Sequence, residues 1–163
     1  MNRQILTDST ATTSIRYFYV TTTGKQKFHH TDGPAITSND GKSMWYLDGK
    51  LHRIDGPAIE YASGHRQWYQ YGKRHREDGP AMEWPSGSYE WYLRGLRHRL
   101  DGPAIQRMLK IEINLPGRYW YVGGRYCTDA DKYKQAVARW LSYKEVTRDE
   151  ISQLIGKFKI VEW

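Results

Sequence analysis

A histidine and an aspartate stand three residues apart at four places in this sequence, and the pair is its first candidate for chemistry. Side chains of these two types can act together as a general acid and base, or can contribute ligands to a metal site. An arginine follows the histidine in the last three pairs, so the motif there reads His-Arg-x-Asp. The pairs are His29 and Asp32, His52 and Asp55, His75 and Asp78, and His98 and Asp101.

The recurrence of this motif favours a structural role. Catalytic residues are normally unique, whereas a loop that turns identically in every unit needs the same hydrogen bonds in every unit. We interpret the aspartate as a turn cap, the histidine as a partner of a neighbouring carbonyl or of the next unit's aspartate, and the arginine as a partner of an adjacent acid. Hydrolysis by His–Asp pairs and metal binding by a column of histidines are the alternatives.

Other catalytic and cofactor patterns are missing from the sequence. It has no phosphate-binding P-loop, no dinucleotide-binding glycine motif at a strand–helix junction and no nucleophile elbow. The single cysteine, Cys127, is interpreted as a buried structural thiol rather than a nucleophile. We predict that the chain is not an enzyme and uses no metal or cofactor.

Bases beside aromatic residues form the second candidate site. Basic side chains in such a stripe can hold the phosphates of a nucleic acid while its nucleobases stack on the aromatic rings. Arginine, tryptophan and tyrosine are also enriched in protein-binding hot spots. The third interpretation is a solvated rim in which nearby acids neutralise the arginines. The predicted binding residues are Arg53, Arg76, Arg99, Arg74, Arg97, Tyr46, Tyr69 and Tyr92.

An internal repeat positions all of these residues. The tetrapeptide Asp-Gly-Pro-Ala begins at Asp32, Asp55, Asp78 and Asp101, an interval of 23 residues each time. Turn-forming pairs separate short aromatic or β-branched segments, such as residues 57–61 and 66–71, which we predict to be strands. Each unit is therefore a β-hairpin plus a loop, and stacking places the tryptophans in one column and the tyrosines in another on the opposite face.

The unit resembles the membrane occupation and recognition nexus (MORN) repeat. The matching residues are Trp45, Gly49, Lys50 and His52, and again Trp68, Gly72, Lys73 and His75. The unit carries His-Arg-x-Asp-Gly-Pro-Ala where the usual repeat has His-Gly-x-Gly, so it is more similar to divergent arrays in bacterial, phage and large-virus proteins. The resemblance covers roughly residues 16–127 and implies an open antiparallel sheet of stacked hairpins. Such arrays serve as scaffolds, lipid-surface contacts or protein-binding modules.

The two ends of the array depart from the repeat. We predict a mainly β chain with a flexible N-terminus at 1–15, a repeat array at 16–127 and a helical cap with a final strand at 128–163. Thr128 is the expected N-cap of a helix whose apolar residues include Tyr133, Val137 and Leu141. A capping box at 147–150 predicts a second short helix, and residues 158–163 read as a strand.

The composition indicates which kinds of partner and which cellular location to expect. The formal net charge is +7, which favours an acidic partner such as nucleic acid, a nucleotide, an anionic lipid or an acidic protein. The start of the sequence lacks the apolar stretch of a signal peptide, and no segment could span a bilayer, so we expect a cytoplasmic protein. The open edges of such a sheet favour pairing into a homodimer.

These observations favour a non-enzymatic binding module. The resemblance to phage and viral arrays implies a small phage-encoded protein that binds and blocks a host protein, such as a defence component, in the host cytoplasm. The alternative is a module that binds nucleic acid, or a cyclic or other small nucleotide, through the arginine and aromatic stripe. A hydrolase that uses the His–Asp pairs is the third hypothesis.

Overall fold

The computed structural model describes residues 6–8, 14–108 and 117–142 of the chain. The predicted fold is confirmed: within these residues the protein is mainly β, with a long antiparallel sheet, smaller sheets of hairpins and one helix that follows the last strand. No helix in the described residues is both long enough and apolar enough to cross a membrane. The predicted elements at 147–150 and 158–163 lie outside the described residues.

The strands are short and follow one another at a regular interval. In chain order they are β1 Leu6–Asp8, β2 Ser14–Val20, β3 Gln26–Phe28, β4 Ile36–Ser38, β5 Ser43–Met44, β6 Tyr46–Leu47, β7 Lys50–Leu51, β8 Ile59–Glu60, β9 Arg66–Gln67, β10 Tyr69–Gln70, β11 Lys73–Arg74, β12 Met82–Glu83, β13 Tyr89–Glu90, β14 Tyr92–Leu93, β15 Leu96–Arg97, β16 Ile105–Arg107, β17 Gly117–Val122 and β18 Arg125–Cys127.

Every complete unit contributes to two kinds of sheet. Two of its strands, such as β8 and β9, join the long sheet, in which β5, β8, β9, β12, β13 and β16 are successive neighbours. The next two, such as β10 and β11, form a separate hairpin. The predicted single strand at 66–71 is therefore wrong in one respect, because it breaks at Trp68 into β9 and β10. Trp68 N–H donates to the Ala81 carbonyl of the following unit, and the Trp68 carbonyl accepts from His75 N–H.

The small hairpins close through two-residue turns in which both residues have positive φ. The pairs are Asp48-Gly49 at φ 51° and 78°, Tyr71-Gly72 at 49° and 82°, Arg94-Gly95 at 51° and 88°, and Gly123-Gly124 at 56° and 83°. Positive φ at both central residues is the property of the type I′ turn, whose twist matches that of the flanking strands. The glycine of each pair adopts this conformation freely, whereas the tyrosine and the arginine do so at an energetic cost.

Buried alanines mark where successive units join. Ala35, Ala58, Ala81 and Ala104 of the Asp-Gly-Pro-Ala motifs are fully buried. The carbonyls of the last three accept the N–H groups of Trp45, Trp68 and Trp91 at 2.7–2.9 Å. Larger side chains at these positions would separate the units, which explains the alanine in every copy.

The C-terminal helix α1, Ala130–Ser142, covers the last unit. The expected apolar residues Tyr133, Val137 and Leu141 are buried against Val122 and Cys127, so this part of the prediction is confirmed. The N-cap is Asp129 rather than Thr128, because the Asp129 carboxylate accepts Lys132 N–H at 2.8 Å. Thr128 donates its hydroxyl to Asp129 and so supports the cap.

At the other end of the sheet, β1 pairs with β2 inside the segment that the sequence predicts to be flexible. The Thr- and Ser-rich composition of this segment suggested a loose chain, but backbone pairing does not depend on a large apolar side chain. The hairpin of β2 and β3 is continuous, without the break seen in later units. The first unit is therefore divergent, in agreement with the prediction that the ends of the array depart from the repeat.

Candidate binding surfaces

The arginines of the His-Arg-x-Asp motifs lie on the tryptophans of their own units. The guanidinium carbons of Arg53, Arg76 and Arg99 are 4.1, 4.2 and 4.4 Å from the ring centroids of Trp45, Trp68 and Trp91. At this distance the cation attracts the ring face. Only 19–23% of each arginine side chain is exposed.

The edges of these guanidinium groups are also occupied. Arg76 Nε donates to Asp78 at 2.9 Å, and its Nη1 donates to Glu83 at 2.8 Å and to the Pro80 carbonyl at 3.3 Å. Arg53 repeats the same contacts, and Arg99 keeps those with its aspartate and proline. The adjacent arginine lowers the pKa of the Asp78 carboxyl through a hydrogen bond. Arg53 and Arg76 therefore each contact two carboxylates, so the local net charge around each guanidinium group is negative.

The glycine of each Asp-Gly-Pro-Ala motif leaves room for this arginine. A Cβ at Gly56, Gly79 or Gly102 would lie 2.9, 2.6 or 3.0 Å from the guanidinium carbon of Arg53, Arg76 or Arg99. None of these glycines has positive φ. The motif therefore does not need glycine for a left-handed turn; it needs glycine because the arginine occupies the space that a side chain would fill.

The first unit makes the same contact with different residues. His30, which stands at the arginine position, stacks on Tyr17 with ring centroids 4.2 Å apart and planes 13° from parallel. A Cβ at Gly33 would meet the His30 ring at 3.1 Å. Both members of the stack are therefore exchanged together, which supports a structural role for the pair.

The motif histidines join one unit to the next. Nδ1 of His29, His52, His75 and His98 accepts the N–H of the first residue of the following type I′ turn at 3.1–3.2 Å. Burial lowers the pKa of His52. The predicted partners of these histidines are a neighbouring carbonyl or the next unit's aspartate, whereas the observed partner is a backbone N–H. His29 also lies 3.1 Å from the Asp48 carboxylate. No group of three or more potential metal ligands occurs in the described part of the chain.

An alternating ladder of rings and cations contains four more of the predicted binding residues, namely Arg74, Arg97, Tyr69 and Tyr92. Arg74 lies 5.7 Å from the Tyr69 ring and 5.4 Å from the Tyr92 ring of the next unit. Arg97 continues the ladder at 5.8 Å from Tyr92 and 5.5 Å from Tyr121. Tyr92 is buried and donates its hydroxyl to Glu90 at 2.7 Å, and burial is the main cause of its raised pKa. Burial likewise raises the pKa of the half-buried Tyr46.

Two clefts lie between successive motif loops. The larger, of about 700 Å³, lies between the loops that contain Arg53 and Arg76, and its lining includes Trp68. The smaller, of about 330 Å³, is its equivalent one unit later and includes Trp91. The exposed carboxylates of Asp55, Asp78 and Asp101 lie at their rims. Two arginines and three acids line the larger cleft, and two of each line the smaller, so neither forms a basic stripe.

Exposed bases collect instead beside the type I′ turns, a surface that we name the turn edge. One column of side chains on this surface consists of the residues two positions before each motif histidine. The first residue of β18 occupies the equivalent position after the last turn. The lysine stems lie against the turn glycines of the next unit, with the nearest carbons 3.4–3.7 Å from a Cβ placed at Gly49, Gly72 or Gly95. The turn edge comprises Lys27, Lys50, Lys73, Leu96 and Arg125, together with the turn residues Asp48, Tyr71 and Arg94.

The cations of the turn edge are not neutralised as the motif arginines are. No ion pair among the described residues involves Lys27, Lys50, Lys73 or Arg94. Tyr71 stands among them with 62% of its surface exposed. Lys50 and Lys73 enter the sequence-based predictions only as residues that match the MORN pattern. The signal that these predictions missed is the occurrence of tyrosine and arginine at turn positions where glycine or asparagine is typical.

Cys127 and Tyr133 belong to the packing of the cap. Cys127 is buried, and its thiol pKa is raised mainly by this burial, as expected of a structural thiol. The Tyr133 hydroxyl donates to the carbonyls of Arg99 and Gly102 at 3.2 and 3.4 Å. Helix α1 thus holds the last motif loop in place.

Comparison with known proteins returns no relative. No protein-family model, no curated protein and no solved structure matches the chain. The resemblance to MORN repeats therefore stays a prediction, and function must be argued from the surfaces described above.

Proposed function

We propose that this chain is a non-enzymatic binding module that holds a partner protein on its turn edge. The observation that carries the proposal is the exposure of Tyr71 and Arg94, at φ 49° and 51°, among bases without ion pairs in the described residues. Left-handed backbone is costly for such residues and concentrates at functional sites. Tyrosine and arginine are also the residue types that contribute most to protein interfaces.

The predicted arginine stripe has weaker support as a binding surface. Arg53, Arg76 and Arg99 each have the ring face of a tryptophan on one side and acids at their edges. A phosphate or carboxylate ligand would have to displace those acids. The geometry favours the rim interpretation for these three arginines and leaves the turn edge as the basic surface open to a partner.

Nucleic acid is the second candidate partner. The net charge of +7 and the column of bases favour it, because phosphate contacts depend mainly on cations. The turn edge, however, places the exposed aliphatic side chain of Leu96 after Lys73, where stacking on successive bases requires aromatic rings. The phage origin, the host partner and the cytoplasmic location stay predictions.

Co-purification with a charge-matched control tests the proposal. The tagged wild type is compared with a Lys50→Met, Lys73→Met variant, which keeps the unbranched stems and removes two charges. The control is Arg66→Met, Lys134→Met, which removes two exposed charges elsewhere. We expect a stoichiometric protein with the wild type and the control, and its loss from the turn-edge variant by quantitative mass spectrometry. Nucleic acid or nucleotide that co-purifies, detected by ultraviolet absorbance, would contradict the proposal. The proposal would also be contradicted if the turn-edge variant retained the same partner protein as the wild type.

A further inference from the structure

The spacing of the turn-edge lysines indicates what kind of segment fits them. Lys27, Lys50 and Lys73 occupy the same place in successive units, and each stem packs on the turn glycine of the next. Each complete unit adds two strands to the long sheet, so equivalent residues are separated by about 9–10 Å. The three lysine positions thus recur along the turn edge at one regular interval.

A polyproline II helix has nearly the same interval. It contains three residues per turn and rises by about 9 Å per turn, so every third side chain lies on one face. Carboxylates at every third residue of such a segment match the lysines one for one. An α-helix repeats a face at about 5 Å, and side chains on one face of a β-strand repeat at about 7 Å, so neither matches as closely.

Tyr71 supplies the apolar contact that such a segment requires. Its ring is 62% exposed and stands at the tip of the turn between Lys50 and Lys73. Exposed aromatic rings are the usual partners of proline-rich helices. Such a helix is already formed before binding, so it loses little conformational entropy. His52 contacts the Tyr71 ring at 4.3 Å between centroids and so fixes its position.

We infer that the turn edge binds an extended, proline-containing acidic segment of a partner protein, with a carboxylate at every third residue facing Lys27, Lys50 and Lys73. This inference rests on the proposed function and adds the conformation and register of the partner. Arg94 and Leu96 extend the surface in the direction of the next unit. The motif loops, with their excess of acids, would repel the same segment.

Composition-matched peptides test the register directly. One fluorescein-labelled peptide contains repeated Glu-Pro-Pro triplets, and the second contains the same residues with all glutamates adjacent. We expect fluorescence anisotropy to show about tenfold tighter binding of the triplet peptide, since each matched surface ion pair adds a modest increment. Lys50→Met, Lys73→Met should lose this preference, whereas Arg66→Met, Lys134→Met should keep it.

A second variant isolates the aromatic contact. Tyr71→Asn removes the ring but keeps a residue that suits left-handed backbone, so the turn persists. It should weaken binding of the triplet peptide, whereas Tyr126→Asn, at another exposed tyrosine, should not. Circular dichroism confirms that each variant is folded.

Three outcomes would overturn the inference. Equal affinity for the two peptides would exclude the register while leaving a basic protein-binding surface intact. Binding of neither peptide, with co-purification still dependent on the turn edge, would show that the partner has another shape. Tight binding of a labelled single-stranded oligonucleotide instead, with a steep logarithmic dependence on salt, would overturn both this inference and the proposed function.

Discussion

Each motif arginine uses both the face and the edges of one planar group. In Arg76 the face lies on Trp68 and the edge donates to Asp78, Glu83 and the Pro80 carbonyl. A lysine ammonium has no planar face and no fixed fork of donors, so it could not replace these contacts together. The arrangement explains why arginine recurs at this position and why the loop needs glycine.

Gly79→Ala should therefore destabilise the protein through Arg76. The new Cβ would meet the guanidinium carbon at 2.6 Å, and we expect a loss of about 1–3 kcal/mol in the free energy of unfolding, as for other overpacked sites. Urea unfolding of Gly79→Ala, Arg76→Ala and the double variant measures this. The cost of the alanine at 79 should vanish when Arg76 is absent, and additive losses would show that the clash is not the cause.

His52 should make stability depend on pH. Burial lowers its pKa in the folded protein, and its Nδ1 must be unprotonated to accept Tyr71 N–H. The unfolded chain binds the proton first as the pH falls, because its histidine pKa is near 6.5. The contribution of the neutral ring is therefore complete above about pH 6.5 and is lost as the pH falls through the lowered folded pKa.

Urea midpoints at about pH 7.5 and about pH 5.5 check this expectation. His52→Asn is the control, since an amide oxygen can accept the same N–H and does not titrate. The variant should lose less stability than the wild type between the two pH values. Burial also lowers the pKa of His65, so part of the dependence of stability on pH remains in both proteins. Identical losses in the two proteins would rule out His52 as a contributor.

The arginine stack could have been found in the sequence, although the spacing hides it. Trp68 and Arg76 are separated by a complete turn, so no local rule connects them. The useful signal lies in the first unit, where tyrosine replaces the tryptophan and histidine replaces the arginine. Tyr17 and His30 do stack on each other. The sequence analysis instead treated this unit only as divergent.

At the scale of the elements, the repeat and the helix were predictable, while the strand break was not. The interval of the Asp-Gly-Pro-Ala motifs predicts stacked hairpins, and the spacing of Tyr133, Val137 and Leu141 predicts α1. The break at Trp68 arises because its N–H turns to Ala81 of the next unit. Such a contact between units cannot be read from the pattern of one strand.

The turn that faces the helix has its own requirement. Gly123 stands where other units have Asp48, Tyr71 and Arg94, so positive φ alone does not demand glycine there. A Cβ at Gly123 would lie 2.7 Å from the ring of Trp140, which covers this turn and also contacts His98. The cap therefore replaces the next unit and requires a residue without a side chain beneath it.

Gly123→Ala should loosen the cap. We expect a destabilisation of about 1–3 kcal/mol from the collision with Trp140, with an increase in proteolysis within α1. The matched control is Gly72→Ala, which also adds a methyl at positive φ, in a turn that α1 does not cover and where the nearest atom is 3.7 Å away. Limited proteolysis and thermal melts distinguish the two. Equal effects would indicate that backbone strain, and not the helix contact, decides.

Trp68 should stabilise the stack more than any exposed residue. It carries the Arg76 guanidinium on its ring and packs against the buried cluster of Ala81, Met82 and Tyr92. Trp68→Ala should lower the free energy of unfolding by about 3–5 kcal/mol, the range for large aromatic truncations in a core. Chemical unfolding measures this loss. A variant as stable as the wild type would place the ring on a binding surface instead.

Across the whole molecule, the distribution of charge matters more than its sum. The net charge of +7 correctly indicates a basic protein, but it does not say which bases are neutralised. Arg53, Arg76 and Arg99 are compensated by their own acids, whereas Lys50 and Lys73 form no ion pair within the described residues. Sequence alone could not separate these two groups, because both recur at the same interval.

We propose that the turn edge, and not the arginine stripe, receives the partner. Amide chemical-shift mapping by NMR tests it most directly, with the Glu-Pro-Pro peptide titrated into the isotope-labelled protein. The account predicts that the amides of Lys50, Tyr71, Lys73 and Arg94 shift while those of the motif loops stay unchanged. Shifts concentrated at the loops around Arg53 and Arg76, or a bound peptide that leaves the turn-edge amides unshifted, would contradict it.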